Sequence, residues 1–183
     1  MNFNKDKIIK FFVSIIICQS AGAIGSAFTI SEIGGWYATL NKPFFNPPNW
    51  IFGPVWSFLF LLMGISFYIV WEKKFSVKVL AKEKELKIWN HFSKKLWVGS
   101  WKEENVVVIF FLQLVLNILW SVVFFGMHSP ATAFFEILML WFAIFYTIIN
   151  FYRISKIASY LLIPYILWVS FAVVLNCFIW ILN

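Results

Sequence analysis

The sequence predicts an all-α membrane protein: a bundle of five transmembrane helices with the N-terminus inside and the C-terminus outside. Three observations predict it. Five apolar runs each come close to the roughly 20 residues that cross hydrocarbon. Charged residues make up only 13% of the chain and hydrophobic residues 62%, whereas soluble domains are about 25% charged. Lys and Arg gather almost entirely between alternate runs. A soluble domain of 183 residues with a mean hydropathy of +0.82 could not hide so much apolar surface, and a bilayer removes the need. The length suits a single domain, residues 1–183.

The first run is Ile8 to Ile30. Lys5, Lys7 and Lys10 ahead of it and Ala21-Gly22-Ala23 within it come near a signal-peptide pattern. The apolar run continues past that small-residue stretch, so an uncleaved helix is expected. Ile17 before Cys18 is too large for a lipoprotein cleavage site. Gly22 with Ser26, and Ala21 with Gly25, are small residues four apart that permit close helix contact, either within the chain or between copies.

The connection from Ser31 to Trp50 is proline-rich. Pro43, Pro47, Pro48 and Pro54 are four of the six prolines, and each fixes its own φ and restricts its predecessor, so this loop should be ordered. The second helix is expected over Ile51 to Trp71. A basic inner loop of about residues 72–104 follows, with Trp89, Trp97 and Trp101. It is either in part a helix lying on the inner leaflet or a solvated linker. The third helix is expected over Val106 to Gly126. Met127 to Pro130 makes a tight turn in which Ser129 caps, and Pro130 begins, the fourth helix, Ala131 to Phe151. The fifth runs from Tyr160 to Leu182.

Since lipid offers the backbone no partner, each run must be helical. With five helices, fourteen of the fifteen Lys and Arg fall on one face and only Lys42 on the other. That asymmetry puts the basic face inside and would scramble if one helix were dropped. It also explains the net charge of +7 by topology rather than by nucleic acid, and no nucleic-acid partner is expected.

No soluble-enzyme motif appears. There is no glycine-rich phosphate loop, no nucleophile elbow and no metal-ligand spacing. His91 and His128 stand alone on opposite faces, each expected to be a solvated loop residue. Cys18 and Cys177 lie in apolar runs and read as packing residues.

Polar residues within the spans are more informative because they are costly there. Glu136 lies about 9 Å into the fourth helix at 1.5 Å per residue, so it should be protonated, hydrogen-bonded or facing a wet cavity. Gln113, Asn117, Trp120 and Phe124 share one face of the third helix. Pro164, Trp168, Phe171 and Leu175 share one face of the fifth, with Ala172 and Asn176 in its outer half. Trp56 opens the second helix at the same level. Each amide alone reads equally well as an interhelical hydrogen bond. Rings and amides converging at one depth beneath a stiff loop read as a ligand pocket, mostly apolar with a few polar groups.

The stretch from Trp36-Tyr37 through Leu40-Asn41-Lys42-Pro43, then Pro47-Pro48, then Trp50 to Trp56, resembles the first-loop signature of the TspO/MBR family of tryptophan-rich sensory and translocator proteins. Gln113-Leu-Val-Leu-Asn117-Ile-Leu-Trp120 with Phe124-Phe125-Gly126 is a second match. Pro164-Tyr165-Ile-Leu-Trp168 with Phe171-Ala172 and Leu175-Asn176 is a third. The resemblance covers nearly the whole chain except the segment from Glu72 to about Glu104, since the family's second connection is usually much shorter. The family's animal sterol motif ends in a basic residue that is absent here.

The resemblance implies a homodimeric five-helix bundle in the cell membrane, in contact with lipid. It would bind porphyrin, haem or similar hydrophobic ligands under the first loop, require no cofactor, and serve a sensory or stress role. The residue reading and the resemblance together give Trp36, Lys42, Pro47, Trp50, Trp56, Asn117, Trp120, Glu136, Trp168, Ala172 and Asn176 as ligand-binding candidates, of which Trp56, Trp168 and Ala172, and with them Asn117, Trp120 and Asn176, match family pocket positions. In that picture the macrocycle stacks on Trp56 and Trp168, Asn117 or Glu136 supplies hydrogen bonds, and Lys42 attracts a propionate. It also implies, as an alternative, light-dependent porphyrin breakdown with Trp56 and Trp168 as the candidate reacting side chains. Transport of small amphiphiles is a further alternative, which inverted repeats or broken helices would favour, and the sequence shows neither.

Overall fold

The structure, a computed structural model, describes residues 3–83 and 104–183, and among these it is helical without strands. Helix α1 spans Phe3–Ile33, a short α2 Trp36–Thr39, and α3 Phe52–Glu83 after a 3₁₀ turn at Asn49–Ile51. Helix α4 spans Glu104–Ser121, α5 Pro130–Ile154, α6 Lys156–Tyr160 and α7 Ile163–Leu182. Among the described residues, five helical stretches are long and apolar enough to cross a membrane: Lys5–Ile33, Asn49–Lys74, Val106–Gly126, Pro130–Ile154 and Lys156–Leu182.

The expected spans are thus all present, with boundaries that differ for physical reasons. Helix α3 continues past Trp71 to Glu83, so part of the expected inner loop is helical. Its Lys, Glu, Ala and Leu residues are good helix formers, and beyond the hydrocarbon they need not be apolar. Trp89, Trp97 and Trp101, and with them the question of a surface helix, lie outside the described residues. The fourth helix starts where Ser129-Pro130 puts it, with proline in the first turn. The Ser129 hydroxyl, however, donates to Thr132 Oγ1 at 2.9 Å rather than accepting from the backbone. The last turn before it, Val122–Gly126, is widened into a π-helical turn in which the Met127 N–H donates to the Val122 carbonyl at 2.9 Å. The fifth span is interrupted at Leu161 and Leu162, where Pro164 cannot continue the hydrogen-bond ladder of α6 and instead opens α7.

The helices pack as neighbours in the order α3, α1, α4, α5, α7. The tightest approach is between α1 and α3. A Cβ on Gly64 would sit 2.8 Å from the Ile15 Cα, so only glycine lets these two backbones meet. One core cluster is built from Cys18, Phe60, Met63, Phe110, Leu140, Tyr165 and their neighbours. A second cluster of Tyr37, Phe124, Phe125, Ala133, Leu175 and Ile179 lies beneath the first loop.

At the end away from that loop, Lys7 and Lys10 reach Glu72 at 3.5 and 3.3 Å, and Lys73 donates to Ser155 Oγ at 3.1 Å. These contacts tie α1, α3 and the α5–α6 junction together at the basic end. Lys42 stands at the opposite, lid end.

Candidate ligand-binding site

The loop from Gly34 to Trp50 folds into a lid. Its centre is Tyr37, buried on α2, whose hydroxyl donates to Asn46 Oδ1 at 2.7 Å. Burial pushes this phenol up to about 12, the Asn46 bond pulling the other way, so Tyr37 stays a neutral donor over the physiological range. The Lys42 ammonium sits 4.7 Å from the centre of the Tyr37 ring and donates to the Ala38 carbonyl at 3.4 Å.

Two fastenings hold the lid down. Asn183 accepts from the Asn41 N–H at 2.9 Å and donates to the Asn41 carbonyl at 3.0 Å, while its own Nδ2 also donates to the Ile179 carbonyl at 2.8 Å. On the other side, Trp36 stacks on His128 with ring centres 4.5 Å apart and 15° between planes. His128 Nε2 lies 3.0 Å from Glu32 Oε2. His128 is an exposed loop residue, as expected, but it does not stand alone. This residue occupies the left-handed region at φ 50°, which aims its ring at Trp36 and Glu32. Histidine is among the residues that tolerate that region better than most.

Beneath the lid is a cavity of about 350 Å³, within the size range of small-molecule pockets. Trp56 from α3, Asn117 and Trp120 from α4, and Trp168, Ala172 and Asn176 from α7 all line it, together with Phe124, Phe125 and Phe171. The spacing read from the sequence explains the convergence, since Asn117, Trp120 and Phe124 fall on one stripe and Trp168, Phe171, Ala172 and Leu175 on another.

The aromatic wall is internally braced. Trp168 packs edge-on to Phe52 at 6.3 Å, Trp56 lies 5.8 Å from Phe60, and Trp120 stacks on Phe124 at 5.1 Å. The amides hold the helices in place. Asn117 Nδ2 donates to the Tyr165 hydroxyl at 2.9 Å. Trp120 Nε1 donates to Asn176 Oδ1 at 3.1 Å, and Asn176 Nδ2 to the Pro130 carbonyl at 2.7 Å. Both readings of these residues thus hold at once: they line the cavity and they link helices.

The other candidates lie elsewhere. Trp36, Lys42, Pro47, Trp50 and Glu136 are not among the lining residues. Trp36 is engaged with His128, Lys42 with Tyr37, and Trp50 is exposed on the outer surface of the loop. Glu136 is buried in α5 beside Ala133 and Ile137, and neither carboxyl oxygen has a hydrogen-bond partner among the described residues. Buried Gln113 is in the same position. Among the described residues, no charged side chain lines the cavity. Among the described residues no three of His, Cys, Asp and Glu come together as metal ligands.

One wall went unread in the sequence. Helix α1 contributes Gln19, Gly22, Ser26, Thr29 and Ile33, which recur at helical spacing. Gly22 and Gly25 pack inside the chain: a Cβ on Gly22 would lie 2.6 Å from the Phe60 ring, and one on Gly25 would lie 3.1 Å from Ser121 Oγ. The small-residue pattern was visible, but nothing in it separated a cavity wall from a contact between copies.

Comparison with known proteins agrees with this architecture. Residues 14–181 match the TspO/MBR family. The chain is 40% identical to the tryptophan-rich protein TspO of Archaeoglobus fulgidus over 96% of its length and 98% of that protein. It is 39% identical to the tryptophan-rich protein TspO of Chlorobaculum tepidum, over 93% of each. It is 34% identical to the human translocator protein, covering 86% of this chain and 80% of that one.

Proposed function

Because the chain belongs to the TspO/MBR family and is a multi-pass membrane protein, we propose that it binds a tetrapyrrole or a similarly flat hydrophobic ligand beneath its lid, in a sensory or translocator role in a bacterial membrane. The observation that carries the reading is the cavity wall. Trp56, Trp120 and Trp168 border one uncharged space under an ordered lid, within the apolar part of the bundle. Large π faces recognise a flat ring by stacking and dispersion, and bracing by neighbouring rings means little ordering is required on binding.

This differs in one respect from the recognition expected from the sequence. Lys42 is already engaged over Tyr37 and Glu136 does not line the space, so in this reading the ligand is held by rings and apolar contact rather than by charge. Any propionate would lie near the lid surface, where Lys42 attracts it only weakly and salt screens the attraction.

Titration of the purified protein with protoporphyrin, followed by tryptophan quenching, tests the reading. Replacing Trp56 and Trp168 together by Leu is expected to weaken binding by about tenfold or more, since each aromatic contact is worth about 0.5–1.5 kcal/mol. Unchanged affinity in that double variant, with the fold intact by circular dichroism, would falsify the stacking model.

A further inference from the structure

The cavity is not closed on all sides. Its walls from α4 and α7 are buried or half-buried, and its roof is Ile33, Tyr37 and Phe52. The lining residues exposed on the molecular surface are Ala23 and Ile30 of α1 and Gly53 and Ser57 of α3. All four lie within the two membrane-crossing stretches Lys5–Ile33 and Asn49–Lys74. The mouth therefore faces hydrocarbon rather than water.

The geometry of the two helices produces it. They touch at Gly64 and Ile15, and Gln19 Nε2 donates to the Ser57 carbonyl at 3.0 Å. From that bond toward the lid, small side chains leave a slot between them. The hydroxyl protons of the slot are already engaged. Ser26 Oγ donates to the Ala23 carbonyl at 2.8 Å and Ser57 Oγ to the Gly53 carbonyl at 2.9 Å, so both hydroxyls are turned back onto their own helices. A carboxylate would gain little from them, whereas a chain of methylenes would lose nothing on passing from lipid into the slot.

We propose that the ligand of this site is a flat ring system bearing an alkyl chain, the ring in the aromatic chamber and the chain leaving through the α1–α3 slot into the bilayer. The proposal rests on the ligand-binding reading above and narrows its substrate class to amphiphiles that never leave the membrane.

The test compares protoporphyrin monomethyl ester with protoporphyrin monohexadecyl ester, which differ only in the chain. Both are titrated in lipid nanodiscs, with affinity referred to the mole fraction of porphyrin in the bilayer. The protein is the wild type or the double variant Ala23→Phe, Ser57→Phe, in which two exposed residues at the mouth become bulky and the Gln19 bond to the Ser57 backbone is retained.

The wild type should bind both esters. The variant should weaken the hexadecyl ester by about tenfold or more relative to the methyl ester, the scale of forcing extra atoms into an occupied space. Wild-type binding of the methyl ester alone, or equal binding of both esters by the variant, overturns the proposal and leaves the ligand-binding reading standing. Wild-type protein that binds neither ester removes both.

Discussion

At the scale of single residues, the bundle depends on where a Cβ is forbidden. Gly64 faces backbone, which cannot rotate aside, so a methyl group there must push α1 from α3. We expect Gly64→Ala to cost about 1–3 kcal/mol, seen as a lower unfolding temperature in detergent. Gly53, with nothing within 4 Å of its notional Cβ, is the control. Ala at that helical position should be neutral or stabilising by up to about 1 kcal/mol, because glycine in a helix loses more freedom on folding. Equal losses in the two variants would sink the claim that close approach, rather than helix propensity, makes Gly64 indispensable. Tyr37 supplies a pH prediction. Its phenol is raised to about 12 in the fold against roughly 10 in an unfolded chain. The neutral form is thus favoured by folding, and its contribution is complete below about pH 10 and is lost as pH rises through about 12. The lid should loosen in that window, reported by the fluorine NMR signal of 5-fluorotryptophan at position 36, assigned by its loss in Trp36→Phe. Tyr37→Phe should abolish the alkaline step.

At the scale of elements, the lid behaves as a strap buckled at both ends rather than as a free loop. Its stiffness was legible in the proline content, but the buckles were not. Asn41 and Asn183 stand 142 positions apart, and His128 and Glu32 stand 96 apart, so no local pattern pairs them. Replacing Asn183 by Ala removes both bonds to Asn41. Solvent-exposed hydrogen bonds are worth about 0.5–1.5 kcal/mol net, so amide exchange in the stretch from Ala38 to Asn46 should quicken roughly three- to tenfold while exchange in α5 stays constant. Uniform quickening throughout the protein would mean that Asn183 supports the bundle and not the lid. The helices themselves were legible because lipid leaves the backbone only one solution, and length and hydropathy then announce each span. The π turn at Val122–Gly126 and the break before Ile163 were not, since both depend on how neighbouring turns share carbonyls. The aromatic half of the site was readable because tryptophan is conspicuous and falls at helical spacing. The α1 half was not, because Gly22, Ser26 and Thr29 are as common in simple helix contacts as in cavity walls.

At the scale of the whole molecule, the remaining issue is which way the bundle faces. The structure gathers Lys7, Lys10, Lys73 and the α5–α6 junction at one end and Lys42 at the other, which is the segregation that the positive-inside rule requires of a single orientation. From that rule we propose that the basic end faces the cytoplasm and the lid the opposite side. This has a consequence for the site, because a lid on the outer face places the aromatic chamber and its slot in the outer leaflet. Single cysteines decide it. Cys18 and Cys177 carry no disulfide, and replacing them by Ala gives a silent background. Phe44→Cys, fully exposed on the lid, should then react with a membrane-impermeant maleimide in intact cells. Asp6→Cys, exposed at the basic end ahead of the first apolar run, should react only after permeabilisation. The opposite pattern would invert the protein, move the chamber to the inner leaflet, and require that any amphiphile using the α1–α3 slot be drawn from the cytoplasmic side of the membrane.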